Sequence, residues 1–62
     1  MGKQIVAGKL LGVADGPVIL IEVRGEERGF PLDCQLTVDW VYSHMGKPIT
    51  CMVTDGRVTE VG

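Results

Sequence analysis

Short stretches rich in Val, Ile, Leu and Thr, separated by turn residues, recur along this chain. Asp15-Gly16-Pro17 and Asp55-Gly56 contain Asp-Gly dipeptides, which suit the positive φ angles of tight hairpin turns. Gly25-Glu26-Glu27-Arg28 is a weaker turn signal between two β-rich runs. The runs themselves are too short for helices and about right for strands. They predict strands at 3–14, 17–24, 28–32, 48–54 and 57–61. No linker, low-complexity stretch or repeat divides them, so residues 1–62 are read as one domain.

Side chains alternate between the two faces of a strand, so each hairpin predicts a register. A Glu26-Glu27 loop sets Val23 opposite Phe30, Ile21 opposite Leu32 and Glu22 opposite Pro31. An Asp15-Gly16 loop sets Leu10 opposite Ile21, Gly12 opposite Ile19 and Gly8 opposite Val23 on the same face. Lys9 then meets Glu22 on the other face, a cross-strand charge pair. Gly8 and Gly12 leave room for a long first strand to curl. On the outer face Leu11 meets Leu20 and Val13 meets Val18, an apolar patch that another element or a partner is expected to cover. The Asp55-Gly56 hairpin pairs Val53 with Val58 but then puts Cys51 opposite Glu60 and Thr50 opposite Val61. A bulge in the last strand would reconcile those faces, but the pattern does not place it, and that register stays open.

Residues 33–47 follow a different period. Thr37 is placed to cap a helix, and Leu36, Trp40, Val41, His44 and Met45 follow helical spacing. Gly46 stands where a left-handed terminating residue belongs, with Pro48 beyond it. This predicts a helix at 38–45, in which Trp40 packs inward and Tyr42, two residues on, points away. The fold class is therefore mainly β: a small five-stranded antiparallel barrel with one short helix between strands 3 and 4. An OB-like order is preferred, with an SH3-like barrel carrying a 3₁₀ turn as the alternative.

Composition narrows the function classes. With 62 residues, 45% of them hydrophobic, the chain buries only about 60% of its unfolded surface, and oligomerisation is a usual supplement at this size. The net charge is −2, and Lys3, Lys9, Arg24, Arg28, Lys47 and Arg57 are scattered, unlike the basic stripe of most nucleic-acid-binding domains. Two cysteines, Cys34 and Cys51, are too few for a disulfide scaffold. The first residues lack the apolar segment of a signal peptide, and no apolar run approaches the roughly 20 residues that span a bilayer. These features point to a reduced, cytoplasmic protein with no membrane segment.

Candidate chemistry is sparse. Cys34, His44 and Cys51 are single and widely spaced, unlike the paired ligands of zinc sites; the simpler reading makes the cysteines small apolar residues and His44 a helix-end group. A Cys-His nucleophile needs an orienting group and a cleft that so short a chain has little volume to build. No glycine pattern matches a phosphate-cradling loop. No metal, cofactor or catalytic residue is assigned. The reading is a non-enzymatic binding or assembly module that self-associates, by default as a dimer, or docks on a protein partner through Leu11, Val13, Val18 and Leu20. The alternative is a barrel that binds single-stranded RNA or DNA through Lys9, Arg24, Arg28 and Tyr42.

Overall fold

The structure is a computed structural model that describes residues 2–62. Five strands form, β3 beginning two residues before its predicted range and the others close to theirs: β1 (Lys3–Ala14), β2 (Val18–Val23), β3 (Glu26–Pro31), β4 (Pro48–Thr54) and β5 (Arg57–Val61). One helix, α1 (Val38–His44), lies between β3 and β4. The strands make a single antiparallel sheet in the order β3-β2-β1-β4-β5. Its edges approach each other through one parallel bridge, Leu32 to Val58, beside which the N–H of Asp33 donates to the Val58 carbonyl at 2.8 Å. No ladder follows that bridge among the described residues, so the sheet is not closed.

Strand β1 serves two partners. Its residues Lys3–Lys9 pair with β4, and Lys9–Ala14 pair with β2. The change-over needs a glycine: a Cβ on Gly8 would lie 2.6 Å from the Glu22 carbonyl oxygen. Lys9 stands opposite Glu22 and Leu10 opposite Ile21, as the alternation predicts. A bulge then intervenes, and Gly12 meets Leu20, Val13 meets Ile19 and Ala14 meets Val18. The extra residue, Leu11, reverses the faces beyond it. Val13 is thus moved from the predicted outer face to the Ile19 side, and the loop lengthens to Asp15–Pro17.

The second hairpin also differs from its predicted register. The loop is Arg24-Gly25 and not Glu26-Glu27; both residues have positive φ, +54° and +81°, as a type I′ turn requires. Ile19 consequently meets Phe30, Ile21 meets Arg28, and Val23 meets Glu26, while Pro31 lies opposite Val18. In the third hairpin, Asp55 and Gly56 make the loop with φ of +52° and +80°. Val53 meets Val58 as predicted, and a bulge at Thr59 then sets Met52 opposite Glu60 and Cys51 opposite Val61. This bulge settles the register that the alternation leaves open, and it puts an apolar residue opposite the buried Cys51. The Thr59 hydroxyl donates to the Met52 carbonyl at 3.4 Å and lies 3.3 Å from the Thr54 hydroxyl.

The inner face supplies the core: Leu10, Ile19, Ile21, Ile49, Cys51, Val53 and Val58 are buried. Burial of each large aliphatic side chain contributes about 1.5–3 kcal/mol. Thr37 caps α1, its hydroxyl accepting from the Trp40 N–H at 3.1 Å. Trp40 and Val41 pack against the core, Tyr42 is exposed, and none of the helical residues is buried. Gly46 ends the helix region with φ +74°. Its N–H donates to the Leu10 carbonyl at 2.9 Å, and the Leu10 N–H donates to the Lys47 carbonyl at 3.0 Å. These bonds anchor the helix exit to β1 beside its bulge.

Candidate functional site

The four residues of the predicted apolar patch do not remain together. Leu11, Val18 and Leu20 are half-buried. Gly29, directly opposite Leu20, lacks a side chain, and Val18 and Leu20 close over it: a Cβ there would meet Val18 Cγ1 at 3.2 Å and Leu20 Cδ2 at 3.3 Å. Part of the expected cover is therefore supplied by β3. Val13, carried to the other face by the bulge, is 39% exposed.

Val13 instead lines a groove of about 330 Å³ between the β1–β2 loop, the segment after β3, and the helix. Pro17, Leu32, Leu36, Val38 and Val41 share its wall. Leu32, Cys34 and Leu36 are half-buried while Asp33 and Gln35 between them are exposed, so this segment alternates like a strand and turns one row toward the core. That alternation is visible in Leu32-Asp33-Cys34-Gln35-Leu36 and was the available signal for this wall.

Cys34 also lines the groove, whereas Cys51 is fully buried beneath it in the core. Burial pushes both thiols upward from the ordinary value; the Asp33 and Glu60 carboxylates add to the effect at Cys34, and Cys34 adds to it at Cys51. Neither is thereby activated as a thiolate nucleophile. His44 is engaged by the helix: its Nδ1–H donates to the Trp40 carbonyl at 2.7 Å, and its ring stacks on Trp40 with centroids 4.2 Å apart. Among the described residues, no three of His, Cys, Asp and Glu converge as a metal-binding group.

The cationic residues separate into different environments. Arg24 and Arg28 line one open cleft of about 620 Å³, together with Glu26, Val23 and Phe30. Lys9 lies in the middle of the sheet, opposite Glu22 on one side and Pro48 on the other. Tyr42 projects from α1 and is 75% exposed. Lys9 and Tyr42 are not part of the cleft wall.

Comparison with protein-family models, curated proteins and solved structures found no match to this chain. Among the described residues, no helix is long and apolar enough to cross a membrane. The functional reading therefore rests on the local chemistry of the groove and the cleft.

Proposed function

We propose that this chain is a non-enzymatic binding or assembly module, built on an OB-like barrel arrangement, that associates with a second copy of itself. The OB-like reading is supported by an α-helix, not a 3₁₀ turn, between β3 and β4, and by the approach of Leu32 to Val58, which suits a partly open five-stranded barrel. An SH3-like arrangement is the alternative.

The observation that carries the functional reading is the apolar groove at Val13, Leu36 and Val38. Val38 is 68% exposed and α1 buries none of its residues, so the helix leaves apolar surface that a partner would cover. A second copy is the default occupant because small soluble chains most often assemble as symmetric dimers. Sedimentation velocity across two decades of concentration tests it. A rise in sedimentation coefficient with concentration is expected, and a strictly monomeric chain overturns self-association.

A second reading, binding of single-stranded RNA or DNA, is favoured by one observation, the shared cleft of Arg24 and Arg28. Lys9 and Tyr42 would contribute only at a distance from it. Titration of labelled oligonucleotides at two salt concentrations tests this reading, because phosphate contacts are strongest at low salt. Absence of binding at low salt removes it.

A further inference from the structure

Strand β1 is paired along its whole length on neither side. On one side Lys3–Lys9 pair with β4, but on the other the ladder with β2 begins only at Lys9. Beyond Val23 the chain turns away through Arg24 and Gly25. Each strand residue in a ladder directs its N–H and C=O to one side, and successive residues alternate. The Gly2 carbonyl accepts from the Asp55 N–H, and Leu10 exchanges bonds with Gly46 and Lys47; the even-numbered groups therefore face β4. Those of Lys3, Ile5 and Ala7 face the opposite way, where no described strand pairs with them.

The 620 Å³ cleft opens on this edge. Ile5 and Ala7 lie in its wall, half-buried Val6, Val23 and Phe30 give it apolar surface, and Arg24 and Arg28 outnumber the single acid, Glu26. Charged residues on the edge strand β3 have a structural use, since they discourage unwanted strand pairing. Arg24 is outside β3, however, and holds a left-handed backbone, φ +54°, that glycine or asparagine would adopt with less strain. A costly residue at the mouth of a cleft is a functional marker.

We propose that the free edge of β1 at Lys3–Ala7, flanked by Arg24 and Arg28, docks an extended acidic peptide as an added strand. Ile5 and Ala7 supply backbone bonds, Val6, Val23 and Phe30 receive the inward apolar row, and the two arginines select acidic side chains. The same cleft suits nucleic acid less well. Unpaired backbone N–H and C=O groups template another strand, and half-buried Phe30 is its single aromatic side chain, a poor stacking platform.

Titration of the ¹⁵N-labelled full chain with a capped peptide of alternating valine and glutamate tests the proposal. Amide shifts and slowed hydrogen exchange at Ile5 and Ala7 are expected, with an alternating valine–lysine peptide binding at least about tenfold more weakly. The variants Arg24→Asn and Arg28→Gln are each expected to reduce that discrimination; Arg24→Asn suits the turn, so its loss of binding is separable from unfolding. Three results overturn the proposal: no perturbation at Ile5 and Ala7, equal affinity for the lysine peptide, or displacement of the peptide by oligothymidine with undiminished affinity in the arginine variants. The readout is independent of dimer formation at the Val13 groove.

Discussion

His44 lies stacked on Trp40 one helical turn earlier, with an interplanar angle of 20°, and its Nδ1–H is bonded to the carbonyl of that same tryptophan. The two side chains thus brace the C-terminal turn of a helix only seven residues long, too short to be stable by itself. His44→Ala removes both the ring contact and the bond, and is expected to cost about 1–2 kcal/mol. Urea unfolding followed by Trp40 fluorescence measures this. A change below a few tenths of a kcal/mol would mean that the stacked pair does not hold the helix.

Gly8 and Gly2 give opposite expectations. At Gly8 a Cβ would strike the Glu22 carbonyl at 2.6 Å, whereas at Gly2 it would meet nothing within 4 Å. Gly8→Ala is expected to destabilise by about 1–3 kcal/mol by forcing β2 off β1, and Gly2→Ala to be nearly neutral. Thermal unfolding of the two variants side by side checks the contrast.

Val38→Asp is expected to weaken self-association while leaving stability within about 0.5 kcal/mol, because its side chain is 68% exposed at the groove. Leu20→Asp, on the face closed over Gly29, is expected to reduce stability instead. Sedimentation and denaturant unfolding together separate the two effects.

Arg24→Gly is expected to stabilise the chain by about 1 kcal/mol, since it relieves a non-glycine residue of its left-handed conformation. Chemical denaturation measures the gain. No gain, or a loss, would show that Arg24 makes stabilising contacts that outweigh the backbone term.

The thiols provide a pH test. Burial raises the Cys51 pKa from its ordinary 9.0, so the folded state retains the proton where the unfolded chain begins to lose it. That stabilisation is fully present below the unfolded value and is lost as pH rises through the folded value. Stability is therefore expected to fall more steeply above about pH 9 than in Cys51→Val, which has no proton to lose. Alkylation followed by mass spectrometry should modify half-buried Cys34 before buried Cys51.

Local chemistry made much of the architecture legible. The Asp-Gly turns, Thr37 and Gly46 act through their own backbone and its near neighbours, and they placed the first and third hairpins and the helix. Alternation likewise identified Leu10, Ile19 and Ile21 as one face. The candidate site was less legible. Period-two alternation is unchanged when a strand slips by an even number of residues, so it could not distinguish Val23 opposite Phe30 from Val23 opposite Glu26. The turn geometry of Arg24-Gly25 selects the latter and brings Arg28 and Glu26 into the cleft.

The amino-acid sequence by itself determined that this protein is a mainly β chain with five strands, a capped short helix and more apolar surface than so small a core can bury. Only the tertiary structure decided where that surplus lies. One extra residue at Leu11 reverses every later side chain of β1, which moves Val13 into the groove, while β1's change of partner leaves Ile5 and Ala7 on an open edge. Both follow from how distant strands fit together, a constraint that neighbouring residues do not encode.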